Sequence, residues 1–155
     1  MTHQQRLIAV IGGSLCSAED YSLGEEVGCM LAEKGMSVIC GGLSGIMEAA
    51  CKGAVEAGGV AIGILPGNDP NEANRFVTIP IATGMGIGRN IIIIRSAEAC
   101  IAIDGHYGTL SEIAYALQLQ KSVITLNAWN QIPGTIQAST AKEAVQLALK
   151  QIQNE

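Results

Sequence analysis

The chain has 155 residues, 48% hydrophobic and 15% charged, which is enough apolar material for one core and rules out an intrinsically disordered chain. Nine Lys and Arg against fourteen Asp and Glu leave a net charge of −5, so the basic footprint of a nucleic-acid binder is absent. No apolar run approaches the ~20 residues of a membrane helix, and residues 1–6 lead into an apolar segment without signal-peptide architecture. A single-domain cytoplasmic protein is expected.

Strand-length apolar runs alternate along the chain with helix-length amphipathic stretches. Residues 7–11 read as a strand broken by Gly12-Gly13-Ser14. Ser17 caps a helix running to Lys34, with Glu19 and Asp20 in its first turn, where acidic groups suit the dipole. Gly35 ends it. Residues 36–40 form the second strand, Gly41-Gly42-Leu43-Ser44-Gly45 a loop, and 46–56 a helix stopped by Gly58-Gly59. A strand at 60–65 leads to Pro66-Gly67-Asn68-Asp69-Pro70 and a less regular middle, with a short strand at 76–79. After Thr83-Gly84-Met85-Gly86-Ile87-Gly88 come a helix over 89–97, a strand over 99–103, a turn over 105–108 and a helix over 109–120. A strand over 122–126 and a helix over 140–152, capped by Ser139 or Thr140, complete the order.

Strands with few polar residues, such as Ile101-Ala102-Ile103, belong in a mainly parallel sheet covered by helices on both faces. The fold class is therefore α/β, a single doubly wound Rossmann-like domain. Right-handed crossovers place every strand-to-helix loop on one edge. Four glycine-containing loops meet there: Gly12-Gly13-Ser14, Gly41 to Gly45, Thr83 to Gly88, and Gly105-His106-Tyr107-Gly108-Thr109. Glycine lets backbone N–H groups approach an anion, and helix N-termini add a favourable dipole. Nineteen glycines against one Phe and one Trp point the same way, toward loops that approach a phosphate-bearing ligand. Neither the G-x-G-x-x-G nor the G-x-x-x-x-G-K-[ST] fingerprint is present.

Polar candidates on this edge are few. Arg89 opens a helix after a glycine loop, where its guanidinium can fork onto phosphate, or it serves as a surface or subunit-contact residue. Glu112 lies one turn beyond Gly108 and either faces the cleft or caps Thr109, since Thr109-Leu110-Ser111-Glu112 fits a capping box. Asp104 holds a ligand hydroxyl or merely starts its turn, and His106 is read as solvent-facing. Five cysteines without a C-x-x-C pair, and only His3 and His106, argue against a disulfide framework and a bound metal. Cys16 is expected to be the one cysteine near the edge, with Cys29, Cys40, Cys51 and Cys100 filling the core.

Cys40-Gly41-Gly42-Leu43-Ser44-Gly45-Ile46-Met47-Glu48-Ala49-Ala50, followed by Gly53-Ala54, resembles the G-G-x-x-G-x-M-x-A-x-x-x-G-A signature of the Lonely Guy (LOG) or lysine decarboxylase-like superfamily. Tyr107-Gly108-Thr109-Leu110-Ser111-Glu112 matches the second half of its P-G-G-x-G-T-x-x-E motif, and Arg89 and Glu112 match its functional arginine and glutamate. Gly63 to Gly67, Ala73-Asn74, Thr83-Gly84 and Gly88-Arg89-Asn90 resemble the branch of the molybdenum cofactor carrier proteins. The superfamily's phosphoribohydrolases carry Arg-Lys where this chain has Arg89-Asn90, and Pro-Gly-Gly where it has Asp104-Gly105-His106.

The resemblance implies a carrier that holds a phosphorylated pterin, the molybdenum cofactor, without turning it over. The implied ligand-binding set is Gly12, Gly13, Ser14, Gly41, Gly42, Ser44, Gly45, Arg89, Asn90, Gly105, His106, Tyr107, Gly108, Thr109 and Glu112. Two alternatives remain: a nucleoside 5′-monophosphate phosphoribohydrolase using Arg89 and Glu112, and a nucleotide-sensing module. No nucleic-acid or membrane partner is expected. Four isoleucines, Ile91 to Ile94, place apolar groups all round their helix, so a second subunit is the expected cover, with the C-terminal helix as the alternative.

Overall fold

The computed structural model describes residues 4–129 and 131–153; of residues 1–6, which show no signal-peptide architecture in sequence, the first three, His3 among them, lie outside the described residues. The strands are β1 (Leu7–Gly12), β2 (Ser37–Cys40), β3 (Ala61–Leu65), β4 (Ile79–Ala82), β5 (Ala99–Ile103), β6 (Ser122–Leu126) and β7 (Ile136–Gln137). The helices are α1 (Ala18–Glu33), α2 (Ile46–Glu56), α3 (Asn90–Ser96), α4 (Tyr107–Gln118) and α5 (Ala141–Gln153). All seven strands pair parallel in the order β4-β3-β2-β1-β5-β6-β7. This is the α/β Rossmann-like arrangement expected, with the order reversing at β1. The carboxyl ends of β1 and β5 meet at that switch point, where open α/β sheets bind ligands.

Side-chain alternation splits the strands between two cores. Ile8, Val10, Val38, Ile101 and Ile103 face α1, α2 and α5, whereas Ala9, Ile11, Ile39, Cys100 and Ala102 face α3 and α4. Ile93 and Ile94 of α3 are buried within the chain and Ile91 and Ile92 half-buried. The C-terminal helix lies on the other face and does not cover them. Ile93 is thus a reporter of the fold and not of assembly. Lys121 closes α3 from below: its Nζ donates to the carbonyls of Ile94, Arg95 and Ala97 at 2.7, 2.8 and 2.5 Å, a cation at the negative end of the helix.

Several boundaries differ from the sequence reading. The fourth strand is Ile79–Ala82 and not 76–79; Pro80 sits in it because β4 is an edge strand, where a missing N–H is tolerated. Residues 86–89 form a 3-10 turn before α3 begins at Asn90. The helix expected from Thr109 begins at Tyr107, with His106 at its N-cap and no side-chain cap, so the capping box at Thr109 does not form. The short β7 was not anticipated. Ser17 does cap α1 through Asp20 N, and Thr140 caps α5 through Glu143 N.

Not every glycine serves a loop. On α1, a Cβ at Gly28 would collide with the carbonyl oxygen of Ala50; on α2, one at Gly53 would collide with that of Glu25. These two glycines let α1 and α2 pack backbone to backbone. Alanine improves helix propensity by up to ~1 kcal/mol, but overpacking against a carbonyl costs ~1–3 kcal/mol or more. Gly28→Ala should therefore lower the thermal midpoint by several degrees in a melting experiment; a rise would contradict this packing account.

Candidate functional site

A cleft of about 220 Å³ opens at the carboxyl ends of β1, β2 and β5. Its wall is built from four segments. Gly12 ends β1 and Gly13 and Ser14 follow it; Gly41, Leu43 and Met47 follow β2; Ile87, Arg89 and Asn90 lead into α3; His106, Gly108, Thr109 and Glu112 open α4. Ile11 completes the lining. The loops are held together by their own polar groups. Ser44 Oγ donates to Ser14 O at 2.9 Å, and Ile46 N donates to Gly13 O at 3.0 Å. Gly45, at φ +67, crosses so close to Gly13 that a Cβ would strike its carbonyl.

Arg89 lies at the floor, only 8% exposed. Its Nε donates to Ile64 O at 2.8 Å, its Nη2 to Gly41 O at 3.4 Å, and its Nη1 to the side-chain oxygen of Asn90. Asn90 Nδ2 donates in turn to Ser111 Oγ at 3.2 Å, and Ser111 Oγ to Gly108 O at 2.6 Å. One chain of hydrogen bonds thus runs from the guanidinium to the first turn of α4. Burial lowers the guanidinium's affinity for its proton, against the pull of Glu112, but from so high a starting value that it stays charged at neutral pH.

Glu112 is also 8% exposed. Burial pushes its carboxyl up to about 8, with Arg89 pulling the other way. No ion pair joins the two among the described residues; those present are Arg6–Glu98 and Lys52–Glu25. At pH 7 the floor therefore holds one guanidinium charge beside a mostly neutral carboxyl. Above it, the first N–H groups of α4 have no side-chain cap, and Thr109 is buried against the cleft. Free N–H groups, a helix dipole and a guanidinium at the floor are features that attract negative charge.

Of the residues expected from sequence, Gly12, Gly13, Ser14, Gly41, Arg89, Asn90, His106, Gly108, Thr109 and Glu112 line the cleft. Gly42, Ser44, Gly45, Gly105 and Tyr107 do not. Gly42 and Gly45 take positive φ to shape the second loop, and Gly105 (φ +109) passes beneath Thr109. Tyr107 is exposed, its ring 6.5 Å from that of Trp129. Among the described residues no cluster of three or more His, Cys, Asp or Glu could hold a metal. The apolar lining, Ile11, Leu43, Met47 and Ile87, was missed, because in sequence these residues are indistinguishable from core. Cys16 is not the only cysteine at this edge: Cys40 ends β2 directly before Gly41.

Residues 5–154 match the SLOG cluster4 family. An uncharacterized protein of Archaeoglobus fulgidus is 46% identical over 138 residues, covering 89% of this chain and 91% of that protein. The molybdenum cofactor binding protein of the phototrophic bacterium Rippkaea orientalis superposes with a TM-score of 0.91 at 31% identity, covering 97% of this chain and 99% of the other. The molybdenum cofactor carrier protein of Chlamydomonas reinhardtii gives 0.87 at 31% identity, covering 98% and 100%. DNA processing protein A of Streptococcus pneumoniae, at 17% identity, 92% and 61% coverage and a TM-score of 0.75, shares the fold alone.

The raised carboxyl of Glu112 links stability to pH. Its folded value lies above that of an unfolded glutamate, so between about pH 4.5 and pH 8 the folded chain binds more protons. Stability from this group falls as pH rises through that window and is flat above it, for a total on the order of a few kcal/mol. Glu112→Gln should flatten the decline and melt higher than the parent at pH 8.5. Parallel melting profiles across the window would contradict the assignment.

Proposed function

We propose that the chain, which belongs to the SLOG cluster4 family, binds the molybdenum cofactor through its terminal phosphate and holds it without chemical change. One observation carries the reading: the uncapped first turn of α4 and the buried guanidinium of Arg89 line the same cleft. The N–H groups of Gly108 and Thr109 and the Thr109 hydroxyl would receive the phosphate, with the Arg89 charge behind them. The carrier and binding proteins of similar structure support a pterin cargo.

The dimensions fit this division. At about 220 Å³ the cleft is smaller than the ~300–1,000 Å³ of a pocket enclosing a whole drug-sized ligand. It suits the phosphate and the atoms next to it, with the fused rings extending over Ile87, which is 84% exposed, and Tyr107, 81% exposed. Flat aromatic rings gain from such apolar contact. Carriage is favoured over hydrolysis of nucleoside monophosphates by the residues at the cleft: Asn90 follows Arg89 and Asp104-Gly105-His106 precedes α4, where the phosphoribohydrolases that the sequence resembles carry Arg-Lys and Pro-Gly-Gly.

Calorimetry with molybdopterin and with its dephosphorylated form tests the reading. Loss of the phosphate should weaken binding at least about tenfold to a hundredfold, the worth of a single charge-assisted hydrogen bond. Equal affinity for both forms, or release of ribose 5-phosphate from adenosine monophosphate, would overturn it. A Cβ on Gly108 meets nothing within 4 Å, so Gly108→Leu should not lower the melting midpoint while filling the phosphate's position and abolishing binding.

A further inference from the structure

Cys40 and Cys51 meet directly behind the cleft wall. Cys40 ends β2 and Cys51 stands in α2; both are fully buried, with their sulfurs 3.4 Å apart. They share a small apolar cluster with Met47 and Ala61. Gly42 N donates to Cys40 Sγ at 3.3 Å, and Cys40 Sγ points at Met47 O, 3.9 Å away. Gly41 and Met47, the residues next to these contacts, line the cleft itself. The two thiols are unlike: the hydrogen bond between them lowers Cys51, aided by Asn74, and together with burial raises Cys40. Cys16 and Cys29, by contrast, are half-buried and stand apart from this cluster.

We propose that Cys40 and Cys51 form a reversible disulfide under a hydroperoxide, and that its closure moves the Gly41-Gly42 loop and weakens anion binding in the cleft. The Cys51 thiol gives up its proton and the thiolate attacks one peroxide oxygen; the O–O bond breaks, a sulfenic acid forms, and the departing hydroxide takes up that proton as water. The Cys40 sulfur then attacks the sulfenyl sulfur, the S–S bond forms, the S–O bond breaks, and the hydroxyl leaves with the Cys40 proton as a second water. Two thiols lose two electrons and two protons, and one hydrogen peroxide becomes two waters.

Closing a 3.4 Å gap to the ~2.05 Å of a disulfide draws the sulfurs together by about 1.4 Å. The adjoining loop has little slack to absorb that. A Cβ on Gly41 would stand 2.6 Å from Arg89 Nη2 and 2.7 Å from Met47 Sδ, so both side chains lie too close to this backbone to leave room even for a methyl group. Movement of Cys40 therefore reaches the Gly41 carbonyl that holds Arg89. By reciprocity, an anion seated on Arg89 opposes closure as much as closure opposes the anion. The coupling rests on the anion-binding reading of the cleft; the disulfide itself does not.

The test treats the full-length protein with hydrogen peroxide, with and without saturating inorganic phosphate, and maps the alkylated peptides. A linked Cys40–Cys51 peptide that dithiothreitol reverses and phosphate delays is expected, with phosphate affinity by calorimetry falling about tenfold in the oxidised protein. Cys51→Ala should bind phosphate as the parent does and lose the response to peroxide. Cys40 and Cys51 both recovered as free, alkylated thiols after Cys16 and Cys29 have been oxidised would overturn the disulfide. A disulfide that forms with phosphate affinity unchanged would overturn the coupling. If the reduced protein binds no phosphate, the cleft reading and the coupling fall together, while the peptide map still decides the disulfide.

Discussion

The buried guanidinium of Arg89 is the constraint on which the site depends. A charge at that depth is tolerated only where its donors are satisfied, and here the acceptors come from three places: Ile64 O at the end of β3, Gly41 O after β2, and the side chain of Asn90 at the start of α3. Two of the three are backbone carbonyls that the parallel sheet delivers to one edge. The arginine thus fixes the ends of two strands and a helix relative to one another, and the Asn90–Ser111–Gly108 bonds extend the tie to α4. What has no ion-pair partner among the described residues is the charge itself, since burial favours the protonated form of Glu112. An anion in the cleft would supply the missing counter-charge.

Glycine acts in two ways in this chain, and both follow from backbone proximity. In the loops it lets the β1 and β2 turns interleave, as where Gly45 crosses Gly13. Between helices it lets α1 and α2 approach through Gly28 and Gly53. The second use stiffens the scaffold under the first, since α2 follows directly from the Gly41 to Gly45 loop. The site is therefore built on rigid elements, and loop movement has few outlets. That rigidity is why a change at Cys40 would be transmitted to Arg89 and not absorbed.

The architecture was legible because it is written in periodicity: apolar strands such as Ala99–Ile103 alternate with capped amphipathic helices, and that pattern dictates a parallel sheet with its loops gathered on one edge. The glycines and the polar residues of the cleft were legible for the same reason. What was hidden depends on long-range geometry. Thr109-Leu110-Ser111-Glu112 has the spacing of a capping box, yet α4 starts two residues earlier and leaves its first N–H groups open. Ile79-Pro80-Ile81 does not read as a strand until its edge position is known. The acceptors of Arg89 are carbonyls, to which sequence is blind, and the Cys40–Cys51 contact joins a strand and a helix 11 residues apart.

The most direct measurement of the central claim is a crystal structure of the protein with molybdopterin bound at neutral pH. The account predicts the phosphate at the first turn of α4, within hydrogen-bonding distance of the N–H groups of Gly108 and Thr109, with Arg89 behind it and the fused rings lying toward Ile87 and Tyr107. A phosphate left in solvent, or one bound at another edge of the sheet with the α4 turn empty, would contradict it.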